Sequence, residues 1–340
     1  MKIAALTPFP FVHAEFGGGQ RIENLLLSVD NEVRVFVANL HGEGTGRYKN
    51  LDISLHKVPE TMPGPEYDMN VALASKEVFG PLLDDYNPDL VILEHPWQVE
   101  AVGGRAFLYD AHNNETHMKS LISSQEVVAM TQGLEEKARK AKHVTFCSQS
   151  DELVTDSPKT WVPNGTEWPE KENEFGYESR TLLFVGSAHP PNIGAAITLA
   201  QLAPALPGYE IVIAGACSQA VQTDAPNVTL AGHVNKPTLA YLMRNAHAFI
   251  NPIAGGSGTS LKVISALSYG LPVISSKFGA RGYEEACAIA TNAEEMLSEI
   301  QTLSSIPAWR GRSQTGRDFA REYSWANIGT KFNQVIEGLL

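Results

Sequence analysis

The residues from Gly255 to Lys262, GGSGTSLK, gather small side chains, hydroxyls and one cation where a strand gives way to a helix. The apolar strand end Ala248–Asn251 runs into the glycines. A helix from about Thr259 carries Leu261, Val263, Ile264 and Leu267 inward, until Gly270 and Pro272 stop it. Small residues let a backbone approach a ligand, and the orphan N–H groups and dipole of a helix start favour an anion there. Ser257, Gly258, Thr259 and Ser260 would supply backbone and hydroxyl donors, and Lys262 a formal charge within the first turn. The chemistry this predicts is the cradling of a phosphate or diphosphate. An ordinary strand-to-helix turn with a Ser/Thr cap has the same composition, so the run alone leaves both readings open.

Three other places carry candidate chemistry. His112 follows the strand Phe107–Tyr109 among Asp110, Asn113, Asn114 and Glu115. An imidazole there is suited to bonding a sugar hydroxyl or phosphate, or to proton transfer, although a structural histidine at a strand end is as ordinary. Gly186 and Ser187 follow the strand Thr181–Val185, with His189 behind them and Asn192 as a plausible cap of a second helix start. Gly17-Gly18-Gly19 lies about ten residues past the first strand, just before a helix opened by Gln20 and Arg21. It reads as a flexible lip whose backbone approaches a ligand. It is not the dinucleotide fingerprint, which needs G-x-G-x-x-G directly after the strand. The chain also lacks H-E-x-x-H, spaced Cys/His groups, Asp-x-Asp and G-x-S-x-G, so no metal site or serine nucleophile is expected.

The elements that position these residues are short apolar strands alternating with helices, the pattern of parallel sheets covered on both faces. The alternation runs twice. Residues 1–166 form one series, 167–178 read as an acidic linker, 179–312 form the second series, and 313–340 read as a helical segment returning toward the first domain. Within 1–166, the long polar stretch 115–142 reads as helix. In doubly wound sheets ligands sit outside the carboxyl ends of the strands, where every candidate above falls. Two such domains facing a cleft would collect them.

Composition bounds the rest. The 340 residues are 43% hydrophobic and 19% charged, as a globular protein with a real core requires. The net charge of −12 is concentrated in residues 1–166, which hold 14 Lys+Arg against 23 Asp+Glu. That disfavours nucleic acid or an anionic membrane as a partner. No apolar run is long enough to span a bilayer. Cys147, Cys217 and Cys287 are odd in number and widely spaced, which fits reduced thiols in a cytoplasm.

With these pieces in order, the chain resembles glycosyltransferase family 4. The resemblance covers nearly the whole chain and is strongest through FVGSAHPPNIGAA, VTLAGHV and GGSGTSLKVISALSYGLPVISSKFGARG, with YDAHNNE and VPNG echoing the first half. It implies the GT-B fold, two Rossmann-like domains, and retaining transfer of a sugar from a nucleotide-diphosphate sugar without a metal or other cofactor. The acceptor would be a glycan or small molecule. It further implies that Gly18 and Gly19 face the donor diphosphate and that His112 lies near the transferred sugar. Gly186 and Ser187 would form the turn after the second domain's first strand. His233 and Val234 would lie beside the base, and Gly258, Thr259 and Lys262 at the diphosphate.

One departure stands out. The family's two glutamates, eight positions apart, are matched by Ser257 and Ser265. The second normally grips the ribose hydroxyls, and a charge-assisted hydrogen bond contributes about 1.5–3 kcal/mol, roughly 10- to 100-fold in affinity. The usual cation after the Gly186 turn is also absent, which leaves Lys262 as the main charge for a diphosphate. Two alternatives follow: a nucleotide-binding or scaffold protein that lost transfer, and an epimerase or hydrolase of nucleotide sugars on the same fold.

Overall fold

The computed structural model describes residues 1–14, 16–61, 66–149, 154–256 and 258–340. The chain divides into two units, Met1–Asn164 with Trp325–Leu340, and Gly165–Ser324. The boundaries therefore fall at 165 and 324 rather than at the acidic stretch and residue 313. Asn173, inside that stretch, is buried and donates to the carbonyls of Met243 and Ala246 at 3.1 and 2.8 Å, so the stretch is packed into the second unit.

The first unit holds β1 (Ile3–Thr7), β2 (Val33–Asn39), β3 (Gly44–Tyr48), β4 (Leu51–Lys57), β5 (Leu90–Glu94), β6 (Phe107–Ala111), β7 (His143–Phe146) and β8 (Lys159–Trp161). Its helices are α1 (Gly17–Leu27), α2 (Tyr67–Tyr86), α3 (Val99–Val102), α4 (Glu115–Ser120) and α5 (Gln125–Ala138). The sheet order is β3-β4-β2-β1-β5-β6-β7-β8, parallel throughout except for the edge pair β3–β4. All five residues of β1 and of β5 are buried, as sheets covered on both faces require. The stretch 115–142 is two helices instead of one. The Asn114 side chain caps the first through the His117 amide at 2.9 Å, and Ser124 caps the second. The edge strand β3, largely glycine, threonine and exposed, carries no apolar signal to announce it.

The second unit holds β9 (Thr181–Val185), β10 (Glu210–Ala214), β11 (Val228–Gly232), β12 (Ala248–Asn251), β13 (Val273–Ser275) and β14 (Ala288–Ile289). Its helices are α6 (Pro190–Leu202), α7 (Lys236–Asn245), α8 (Leu261–Ser268), α9 (Ala293–Thr302) and α10 (Ile306–Arg321). The order β11-β10-β9-β12-β13-β14 is fully parallel, and its core gathers Leu183, Phe184, Ile213, Phe249, Ile264 and Trp309. The last helix, α11 (Trp325–Glu337), belongs to the first unit, where it packs on α1 and buries Ile328, Phe332 and Ile336. The helical pattern read from Ser313 onward is thus two helices assigned to different units. No helix among the described residues is long and apolar enough to cross a membrane.

Candidate functional site

In the first unit the three glycines are the first turn of α1, not a lip. Phe16 precedes them in extended conformation, and the Gln20 amide bonds the Phe16 carbonyl at 3.1 Å. The reason is close approach: a Cβ on Gly19 would meet Ala14 Cβ at 2.3 Å, and one on Gly18 would lie 3.8 Å from both His112 Nδ1 and His95 Nε2. One turn further, Arg21 is 1% exposed. Its guanidinium holds both oxygens of Asp110 at 2.7 and 2.8 Å and donates to the Val162 carbonyl at 2.9 Å and Asn164 Oδ1 at 3.1 Å. Burial pushes the Asp110 carboxyl up, but Arg21 and His112 outweigh it and hold it well below the usual carboxylate range.

Two histidines sit beside this pair, each at the carboxyl end of a neighbouring strand. His95 follows β5 and His112 follows β6; their rings lie 4.0 Å apart, and they are 7% and 5% exposed. His112 Nε2 is 2.7 Å from Glu94 Oε2 and 3.2 Å from Asp110 Oδ2. His95 Nδ1 is 2.8 Å from Glu115 Oε1. Burial raises the Glu115 carboxyl, but the His95 bond outweighs it and the net shift is downward. Glu94 moves the other way: burial, with Asp110 alongside, pushes it well above its ordinary value, which favours its protonated form. Ionised Asp110 and Glu115 only accept, so the ring nitrogens facing them carry protons. The inner nitrogens, His112 Nδ1 and His95 Nε2, are buried without a hydrogen-bond partner.

Glu94, Asp110 and His112 bring ligand-type atoms within 4.8 Å of one another. The arrangement suits a metal poorly, because both Asp110 oxygens already bond the Arg21 guanidinium, whose charge would repel a dication.

In the second unit the carboxyl ends of β9, β10 and β11 are each followed or closed by glycine. The Gly186 amide bonds the Ala214 carbonyl at 3.0 Å, and the Gly215 amide bonds the Gly232 carbonyl at 2.6 Å. Gly215 has φ +92°, and a Cβ there would meet the Gly186 carbonyl oxygen at 2.2 Å. A Cβ on Gly186 would meet Asn192 Cβ at 2.8 Å. Asn192 is not the cap of α6. The helix begins at Pro190 with His189 as N-cap, and the two prolines remove two of its terminal N–H donors. Asn192 Nδ2 instead donates to exposed Ser187 Oγ at 3.0 Å, and its Oδ1 accepts from Lys262 Nζ. His233 and Val234 lie just past β11, exposed and half-buried respectively.

Lys262 stands in the first turn of α8, which starts at Leu261 rather than Thr259. Its ammonium lies 5.0 Å from the Phe184 ring centroid, and burial lowers its pKa to about 8. Ser260 is the N-cap residue, and its Oγ is buried without a hydrogen-bond partner. Thr259 Oγ1 accepts from Tyr283 Oη at 3.3 Å, and Gly256 and Gly258 adopt φ +134° and +68°. Ser265, partly exposed, is on the same side of α8 one turn on. Ser257 lies outside the described residues.

Each unit thus carries predicted residues at the carboxyl end of its sheet: Gly18, Gly19 and His112 in the first, Gly186, Ser187, Lys262 and the α8 start in the second. Sequence reasoning missed Arg21, Glu94 and His95. The available signal was Glu94-His95 closing an apolar strand, the position His112 occupies one strand over.

Residues 179–305 match the sequence family described as "Glycosyl transferases group 1". The second unit is therefore a glycosyltransferase domain, and the enzyme class of the chain follows from it. No curated protein sequence matches the chain. Among solved structures, sucrose-phosphate synthase from Thermosynechococcus elongatus is similar with a TM-score of 0.79 at 17% identity, covering 100% of this chain and 99% of that one. An E. coli structure described as "Trehalose-6-phosphate from E. coli bound with UDP-2-fluoro glucose" gives 0.73 at 10%, covering 100% and 99%. Anabaena HepE in complex with UDP gives 0.71 at 12%, covering 99% and 100%. At these identities the likeness is one of fold: the two parallel-sheet units are the GT-B architecture.

Proposed function

We propose that the protein is a retaining glycosyltransferase that moves a sugar from a nucleotide-diphosphate sugar to an acceptor hydroxyl, needing neither metal nor cofactor. The observation that carries this is Lys262: a half-buried cation in the first turn of α8, contacting the Asn192 amide oxygen and the Phe184 ring, neither of which neutralises it. With the positive end of the α8 dipole it offers positive charge to a diphosphate. The UDP and UDP-sugar complexes among the structural neighbours support a donor of that kind.

In the reaction the bond between the anomeric carbon and the diphosphate oxygen breaks. The acceptor oxygen bonds that carbon from the same face, and the leaving phosphate takes the acceptor proton. Lys262 and the α8 dipole stabilise the charge that develops on the leaving oxygen. His112 orients the sugar.

The test is incubation with a panel of nucleotide sugars, with and without a panel of glycans and small alcohols. At least one donor is expected to raise the melting temperature and be consumed, and Lys262→Ala to weaken its binding about 10- to 100-fold. No shift and no consumption across the panel rejects the reading. Ser265 favours a second reading, a nucleotide-binding protein that has lost transfer, because its hydroxyl cannot replace a carboxylate on a ribose. Any detected transfer product rejects that one, and product analysis separates transfer from epimerisation or hydrolysis.

A further inference from the structure

We propose that His95 is a second sugar-recognition residue, and that His95 Nε2 and His112 Nδ1 together accept hydrogen bonds from two hydroxyls of one sugar. The inference rests on the glycosyltransferase reading above. Both nitrogens belong to side chains more than nine-tenths buried, and neither has a partner. They converge on one place, each 3.8 Å from where a Gly18 Cβ would stand. A Cβ at position 18 would stand in van der Waals contact with both.

The polarity of the ligand follows from the outer nitrogens. Each is directed at a carboxylate held ionised, Asp110 for His112 and Glu115 for His95, and the imidazole tautomer with its proton on that outer nitrogen presents its lone pair inward. The Arg21 charge is consumed by Asp110 and burial disfavours a charge on Glu94, while Glu115 keeps its own. That wall offers nothing to an anion. It offers two acceptors to hydroxyl donors, with the Phe9 ring edge-on to His95 at 5.5 Å as an apolar side for sugar C–H groups. His95 also holds φ +66°, strained for a residue with a Cβ, and such strain concentrates at ligand sites. The sugar belongs either to the donor or to a glycan acceptor.

The test uses the full chain carrying ring-15N histidine, with signals assigned through His95→Gln and His112→Gln. The probes are UDP, GDP, UDP-glucose, GDP-mannose and free glucose or mannose added over saturating UDP. The expected result is that both inner nitrogens are unprotonated and move with a sugar-bearing probe, but not with UDP or GDP. Movement with a nucleotide sugar assigns the donor sugar, and movement with the free hexose assigns an acceptor sugar. In parallel, His95→Ala lowers nucleotide-sugar affinity about 2- to 10-fold and leaves UDP affinity unchanged. Doubly protonated rings, movement with UDP alone, or silence with every sugar overturns the inference. Silence while UDP still binds in a Lys262-dependent way overturns only the role of His95. Failure of UDP, GDP and both nucleotide sugars to bind removes the transferase reading as well.

Discussion

Arg21 and Asp110 are 89 residues apart in sequence and share two hydrogen bonds in a fully buried place. Removing one partner leaves an uncompensated buried charge, so Asp110→Asn is expected to cost about 3–5 kcal/mol in urea unfolding. Glu94→Gln should cost far less, because burial already favours the uncharged form of the side chain it replaces. The signs with pH differ as well. Asp110, with its depressed value, contributes stability above the ordinary carboxylate range and loses it only as pH falls through the folded value. Glu94, with its raised value, contributes below that range and loses it as pH rises through its own. Lys262 gives a prediction in binding: its charge is lost as pH rises through about 8, so affinity for a nucleoside diphosphate should fall over that window. Lys262→Arg should flatten the profile, as titration calorimetry at several pH values would register. Lys262 was legible in the sequence because it stands in the first turn of a helix that the glycine-rich run Gly255–Gly258 announces, although its own contacts, Asn192 and Phe184, are distant in the chain. Arg21 was not. At the start of an amphipathic helix an arginine reads as solvent-facing, and only the distant Asp110 makes it a core residue.

At the scale of elements, glycine placement decides how closely strand ends and helix starts meet. Gly215→Ala puts a methyl group against the Gly186 carbonyl at a positive φ, and the strain is of order 1–3 kcal/mol before the contact is counted. A lowered melting temperature for the second unit, with the first unchanged, is the measurement that checks it. Asn114→Ala removes the cap of α4 and should cost about 1 kcal/mol. It should also loosen Glu115, the partner of His95, which hydrogen exchange across 113–121 would reveal. Strands were legible wherever both faces are buried, since β1, β5 and β9 read as unbroken apolar runs. The edge strand β3 was not, because an exposed glycine-rich segment has no pattern to read. The α1 start was misread for a related reason. Glycine is a poor helix former, and here it is tolerated because Ala14 and Phe16 crowd the turn.

At the scale of the whole molecule, two separate cores were visible as two rounds of strand and helix, but the boundary between them was not. The acidic stretch 167–178 looked like a connector and is packed instead, since a few buried contacts such as those of Asn173 outweigh a charged composition. Removing residues 325–340 should strip α11 from the first unit and expose the surface that Ile328, Phe332 and Ile336 cover. Amide exchange should then rise in 1–164 and stay slow in 165–324. The same interleaving bears on biosynthesis. A ribosome delivers the second unit as one uninterrupted piece, whereas the first unit, begun earlier, waits for residues 325–340. The half that is translated first is therefore the half that finishes last, and it spends the intervening time with an uncovered apolar flank for chaperones to shield.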